Sequence, residues 1–218
     1  MNPPNLHPGA LIVIEGIDGA GSTTQSAMLT EWLRAAGIAS AVTSEPSTGP
    51  IGVTIREYLA RRLELGGPQA EALAFAADRM DHVMREVVPA LARGETVVTD
   101  RYYLSSLAYQ ALGCDLAWLL EINRFALRPD LTVFLDVPVE VGMDRLSGRE
   151  SRERFEEDGG ILDRIAGLYR AAIAALREAG EEVHIIDGTR SPAQIHEEIL
   201  RLAADVLRSR YPDAAFPA

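Results

Sequence analysis

Residues 15–25 read Glu-Gly-Ile-Asp-Gly-Ala-Gly-Ser-Thr-Thr-Gln, a glycine-rich turn set between an aliphatic run and a helix-forming stretch. That context is what a phosphate-cradling loop requires. Gly16, Gly19 and Gly21 let the backbone adopt positive φ and wrap close to phosphate oxygens. The helix that follows would aim free N–H groups and the positive end of its dipole at the anion. The candidate cradle is therefore Gly16, Asp18, Gly19, Ala20, Gly21, Ser22, Thr23 and Thr24, with Thr23 at the position of a Mg²⁺-coordinating hydroxyl. In the usual pattern a lysine precedes that hydroxyl. Here Ser22 stands in its place, and the chain has no lysine at all, so its 21 basic residues are all arginines. A phosphate site in this chain must draw on guanidinium groups, backbone amides or a metal.

Two other groupings could act on the same ligand. Asp100-Arg101 closes an aliphatic run, so both side chains would fall at the carboxyl edge of a sheet, beside the phosphate loop. Arg101 offers a planar fork for a phosphate, and Asp100 could hold Mg²⁺ through water or orient the arginine. The same pair would also serve as a structural ion pair. Phe75 and Arg79 lie four apart on a helical stretch, placing a ring and a guanidinium on one face. The ring could stack on a base and the guanidinium could donate to a carbonyl of that base; core packing is the other fate of such a Phe.

The elements that would position these residues follow from hydrophobic pattern. Five short aliphatic runs read as buried strands: 10–15, 40–44, 96–100, 131–136 and 183–187. Leu29, Trp32, Leu33 and Ala36 mark one face of the first helix, which Gly37 closes. The last helix opens on Ser191-Pro192 with Gln194 in capping-box position, and Ile195, Ile199, Leu202 and Val206 run along one side of it. Strands alternating with helices imply an α/β fold, a five-stranded parallel sheet covered on both faces. With 218 residues and no repeat or linker, the chain reads as one domain, 1–218, with residues 1–8 and 211–218 frayed.

Bulk properties narrow the partners. A net charge of −11 argues against nucleic-acid binding. No apolar run approaches the ~20 residues of a membrane helix, and residues 1–8 do not read as a signal peptide. The single Cys114 fits a cytoplasmic location. Two regions break the regular pattern. Residues 46–51 read as a turn after the second strand. Residues 148–160 carry Arg149, Arg152 and Arg154 among glutamates, either as a solvated face or as a lid, about 147–160, that brings arginines to a phosphate.

Three ordered motifs resemble the thymidylate kinase family, and the similarity runs from about Leu11 to Leu207. They are the phosphate loop, Phe75-Ala76-Ala77-Asp78-Arg79, and the stretch from Val98 to Gln110 that contains Asp100-Arg101-Tyr102. Glu45-Pro46 follows the second strand as in that family, with Arg56 on the next helix. The resemblance implies a P-loop NTPase-type sheet with an arginine-bearing lid, ATP and dTMP as substrates, Mg²⁺ as cofactor and a homodimer, for which a face with Leu73, Ala76 and Ala77 could serve, though the same face could equally be core. It implies that Asp18 binds the sugar 3′-hydroxyl and that Tyr109 crowds the 2′ position. It implies that Glu45, Pro46, Arg56, Phe75, Arg79, Arg101, Ser105, Ser106, Tyr109 and Gln110 line the monophosphate site, with Glu156 of the lid near the acceptor phosphate or a metal. The catalytic set would be Arg101, Asp18 and the lid arginines Arg149, Arg152 and Arg154, with Thr23 and Asp100 at the metal. This chain departs from the family pattern at Ser22 and at Ser44, where many bacterial members have an arginine.

The expected reaction is transfer of the γ-phosphoryl of ATP to dTMP. A kinase of another deoxynucleoside monophosphate fits the same residues, and so does a nucleotide-binding protein with little turnover. The lid arginines would replace the charge that Ser22 lacks; in other systems an arginine in such a role is worth roughly 10³–10⁵ in rate.

Overall fold

Five strands pair in parallel in the order β2-β3-β1-β4-β5 in the computed structural model, which describes residues 2–147 and 159–212. The chain opens with β1 (Leu11–Gly16), α1 (Ser22–Ala35) and β2 (Ser40–Ser44). Helices α2 (Pro50–Leu59) and α3 (Pro68–His82) follow, and one π-helical turn (Val83–Val87) leads into α4 (Val88–Ala92). Next come β3 (Thr96–Asp100), α5 (Tyr103–Tyr109), a 3₁₀ turn (Gln110–Leu112) and α6 (Leu116–Ile122). The chain ends with β4 (Leu131–Asp136), α7 (Val139–Leu146), α8 (Gly159–Glu178), β5 (Val183–Asp187) and α9 (Pro192–Arg210). Four of the five strands have the expected bounds; β1 runs one residue later, through Gly16.

β1 and β4 are buried because helices cover the sheet on both sides. Leu29 and Leu33 of α1 are fully buried, and Trp32 and Ala36 pack against the same core. The capping box of Ser191 and Gln194 forms as its sequence demands. Ile195 and Ile199 of α9 are buried as expected, but lower down Ala203 and Leu207 take the inner positions while Leu202 and Val206 are only partly buried. A helix turns 3.6 residues, so its inward stripe drifts away from a strict repeat over five turns.

The strand order places the functional edge. From β1 the chain moves outward to β2, and from β3 it crosses back to β4 beyond β1. The connections leaving β1 and β3 therefore part in opposite directions and leave a crevice at the carboxyl ends of these neighbours. Residues 2–8, expected to fray, are tied down. Asp130 accepts from Asn5 Nδ2 (2.6 Å) and the Leu11 amide (2.8 Å), while Arg210 of α9 donates to Asp130 (2.5 Å) and to the carbonyls of Asn5 and His7. That network rests on one buried-side carboxylate that no local pattern announces. Residues 213–218, expected to fray, and the lid residues Arg149, Arg152, Arg154 and Glu156 lie outside the described residues.

Candidate functional site

The crevice is a cavity of about 970 Å³. The phosphate loop, the segment after β2, α3 and the start of α5 all reach it. Two glycines shape the loop. Gly21 has φ 100° and ends the turn into α1, whose first residue is Ser22. Gly19 has φ 81°, and a Cβ there would run into the backbone of Gly142 in α7. α7 thus packs where a side chain would otherwise stand. From α7, Arg145 donates to the carbonyls of Gly19 and Ala20 (3.3 Å each) and of Gly188 (2.9 Å), bracing the loop from behind. Ser22 is buried against the cavity; Thr23 and Thr24 are exposed on its wall.

Thr23 Oγ1 donates to Asp100 Oδ2 across 2.5 Å, joining the first turn of α1 to the end of β3. The other carboxylate oxygen, Asp100 Oδ1, is buried with no hydrogen-bond partner among the described residues. A hydroxyl and a carboxylate at this edge form a hard oxygen donor set of the kind that holds Mg²⁺ with water and phosphate oxygens.

Arg101 follows Asp100 with φ 69°, a left-handed conformation that costs a non-glycine residue roughly 1–3 kcal/mol. Its amide still bonds Ile14 O (2.9 Å), so the sheet ladder continues while the side chain swings into the crevice. The guanidinium meets Asp18 Oδ1 (2.6 Å), Ser105 Oγ (3.2 Å) and the Tyr169 hydroxyl (3.4 Å), and lies 5.1 Å from the centre of the Tyr109 ring. Burial works against its charge, but the phenols of Tyr109 and Tyr169 and the carboxylates of Asp18 and Asp100 keep it cationic. The Tyr109 hydroxyl donates to the second oxygen of Asp18 (2.7 Å). Burial also raises the Tyr109 and Tyr169 phenols, which remain neutral.

Beneath Arg101 sits Glu15, fully buried at the end of β1. It accepts from the amides of Tyr102 (2.8 Å) and Ser105 (3.2 Å) and from Ser105 Oγ (2.5 Å). It thereby caps α5 from another element, satisfying N–H groups that the helix leaves open. Burial pushes its carboxyl up to about 7, against the opposing pull of the Ser105 hydroxyl, the Arg101 charge and the two amides. Tyr169 of α8 completes the cluster, 2.8 Å from Ser105 Oγ and donating to Gly16 O (3.1 Å).

At the other end of the cavity, Arg79 is buried and largely committed to protein partners. It pairs with Glu45 (2.7 Å), donates to Ser106 Oγ (2.9 Å) and to Asn123 Oδ1, and covers the Tyr102 ring. Only its Nε lacks a partner among the described residues. Next to it, Asp78 accepts from the amide (2.7 Å) and hydroxyl (2.6 Å) of Ser47, pinning the turn after β2 to α3. His82 contacts Glu45 through Nδ1 (3.2 Å) and Thr43 through Nε2 (2.8 Å). Burial opposes its charge, but the bond to Glu45 and the charges of Glu45, Glu86 and Asp78 outweigh this and raise its pKa above 6.5. Arg56 is exposed and bonds the Pro46 carbonyl. Phe75 is half-buried on the wall, against Ile55, Tyr58 and Leu59. Gln110 is buried, with its amide nitrogen on Glu71 (3.0 Å).

Every site residue expected from the sequence outside 148–158, Ala20 and Gly16 excepted, thus lies on one cavity; these two sit just behind the loop surface. Sequence reasoning missed Glu15, Asp78, His82, Arg145, Tyr169, Glu71 and Asn123. A carboxylate inside the run Leu-Ile-Val-Ile-Glu was a visible signal for Glu15, and an acid beside Arg79 was one for Asp78. The others act across elements. Among the described residues no helix is long and apolar enough to cross a membrane.

The family described as Thymidylate kinase matches residues 14–199. A probable thymidylate kinase of Thermococcus gammatolerans is 40% identical over 209 residues, covering 92% of this chain and 99% of the relative. A thymidylate kinase of Thermomicrobium roseum is 40% identical over 204 residues (90% and 95%), and one of Leifsonia xyli subsp. xyli is 38% identical over 204 (91% and 96%).

Proposed function

The chain belongs to the thymidylate kinase family, and from that premise we propose that it is an ATP-dependent kinase converting dTMP to dTDP for deoxythymidine nucleotide synthesis. The observation that carries the reading is Arg101. A strained backbone throws its guanidinium into the crevice between the phosphate loop and the α3 wall, where two nucleotides would meet phosphate to phosphate.

An oxygen of the dTMP phosphate, anionic at pH 7, attacks the γ-phosphorus of ATP. The bond from that phosphorus to the β–γ bridging oxygen breaks, and ADP leaves with the electron pair. No strong general base is needed, so the protein's work is alignment and charge neutralisation. Arg101 grips the acceptor phosphate through its planar fork, exchanging part of its contact with Asp18. Asp18, held by Arg101 and Tyr109, is left to meet the sugar 3′-hydroxyl, and the Tyr109 ring fills the 2′ side. Phe75 offers a face to the base, with Arg79, Ser106 and Gln110 at its polar edge and Glu45, Pro46, Arg56 and Ser105 supporting. Amides of residues 18–24 cradle the triphosphate. Thr23 and Asp100 would hold Mg²⁺, which when bound neutralises charge on the β- and γ-phosphates. Ser22 adds a hydroxyl but no charge, so the missing cation would come from Arg149, Arg152 and Arg154, expected with Glu156 in a lid over about 147–160 that lies almost wholly outside the described residues.

We read 1–218 as one kinase domain working in the cytoplasm as a homodimer. Support for the dimer is an apolar stripe on α3 and the turn after it, with Leu73 51% and Met84 61% exposed and Ala77 between, and Phe125 62% exposed beyond α6. Ala76 is buried, the core placement that the sequence left open for this face.

The test is release of ADP by purified protein with ATP, Mg²⁺ and dTMP, set against dUMP, dCMP and dGMP. Turnover greatest with dTMP supports the reading, and turnover confined to another monophosphate refutes the substrate. Ser22 favours one second reading, a nucleotide binder with little catalysis. Tight dTMP binding without ADP release at saturating ATP and Mg²⁺ would select it.

A further inference from the structure

Two polar atoms on the base end of the cavity are buried and lack partners among the described residues: Gln110 Oε1 and Arg79 Nε. One is an acceptor and the other a donor. Gln110 is only 3% exposed, so its amide cannot turn to water for compensation. What fixes the direction of that amide lies behind the wall. Its Nε2 donates to Glu71 Oε1 (3.0 Å), and Glu71 Oε2 accepts from the Tyr58 hydroxyl (2.6 Å). Glu71 stands in the first turn of α3, Tyr58 near the end of α2 and Gln110 in the 3₁₀ turn after α5, so three elements meet at one carboxylate.

A carboxylate offers only acceptors. It can face the NH₂ of Gln110 but not its oxygen, so the oxygen of this cavity-lining residue is turned away from Glu71. A pyrimidine whose N3 carries hydrogen, beside a 4-keto oxygen, meets both orphaned atoms: N3–H donates to Gln110 and O4 accepts from Arg79. Cytosine presents the reverse at both positions, an amino group and a bare N3. Its N3 lone pair would face the lone pairs of Gln110 Oε1 and leave that buried acceptor unsatisfied.

Resting on the kinase reading above, we propose that Glu71, seconded by Tyr58, is a positioning residue that sets the preference for N3–H pyrimidine monophosphates over cytosine monophosphates. It touches no substrate. It holds Gln110 in the one orientation that reads the base.

The experiment compares the whole chain with Glu71→Gln and Tyr58→Phe, measuring kcat/KM for dTMP and for dCMP with ATP and Mg²⁺. A glutamine at 71 can donate or accept, so Gln110 is freed to turn. The dTMP-to-dCMP ratio is expected to fall about tenfold to a hundredfold in Glu71→Gln, through KM rather than kcat and with the KM for ATP unchanged. Tyr58→Phe should move the ratio the same way by less. Loss of both activities by one factor, or an unchanged ratio, overturns the proposal, since a merely structural role weakens both nucleotides alike. Where Glu71→Gln fails to fold, the ratio in Tyr58→Phe decides, and an unaltered value there overturns it. A wild-type protein that turns over neither monophosphate refutes the kinase reading instead. The ratio of dTMP and dCMP dissociation constants by calorimetry then makes the same comparison, with the same outcomes for and against Glu71.

Discussion

Replacing Glu15 by Gln should change how stability depends on pH. The carboxyl lies fully buried at the end of β1, where burial pushes its pKa from 4.5 up to about 7. Between those values the folded chain keeps a proton that the unfolded chain has already released. The folded state therefore binds more protons, and stability must fall as pH rises through this window. At ~1.4 kcal/mol per pH unit, the full loss is about 3 kcal/mol, complete just above pH 7 and absent below about 4.5. The isoelectric point near 4.8 makes the acid end unsuitable for solution work, because net charge there vanishes. From about pH 5.5 to 8 the share still visible is about 2 kcal/mol. Glutamine cannot ionise, and its amide oxygen can still accept from the Tyr102 and Ser105 amides that the carboxylate caps. Urea denaturation at constant ionic strength across that range would show the two proteins diverging. Wild type should lose about 2 kcal/mol relative to Glu15→Gln as pH rises. Parallel curves would refute the reasoning, because they would mean that Glu15 is ionised in the folded chain throughout, as it is in the unfolded one.

Arg101→Lys keeps a cation but loses the fork, so kcat/KM for dTMP should fall at least about tenfold in steady-state assays. Asp100→Asn removes charge from the pair with Thr23, and the Mg²⁺ concentration giving half-maximal rate should rise about tenfold in a magnesium titration. Tyr109→Phe retains the ring and loses the bond to Asp18. Discrimination against the ribonucleotide should survive in it but drop about tenfold in Tyr109→Ala, as competing-substrate kinetics would reveal. His82, whose folded pKa is raised, contributes stability that is fully present below about pH 6.5 and fades as pH climbs through the folded value. The deficit of His82→Asn in urea unfolding should accordingly shrink from pH 6 to pH 9.

Much of the architecture was written in local pattern. The aliphatic runs of β1 and β4 gave these central strands almost to the residue, because a parallel strand covered on both faces is mostly apolar along its length. Gly19 and Gly21 marked the loop because their positive φ is a local demand on residue type. The limits of that legibility are physical too. Arg79 was expected to serve the base, yet two of its three nitrogens are spent on Glu45, Ser106 and Asn123, partners drawn from 27 to 44 residues away. The inward stripe of α9 and the burial of Ala76 depended on which neighbours each helix met, and periodicity cannot specify neighbours.

From its residues alone, then, the chain determined a phosphate loop without a lysine, an arginine at the edge of β3 and the elements that carry them, since backbone freedom, strand burial and helix capping are short-range properties. Only the tertiary structure decided that Glu15 caps α5, that Asp18 is shared between Arg101 and Tyr109, and that Glu71 holds the amide nitrogen of Gln110. Those arrangements join groups from separate elements in a low-dielectric interior, where the partner that completes each hydrogen bond is fixed by packing and has no signature in the sequence beside it.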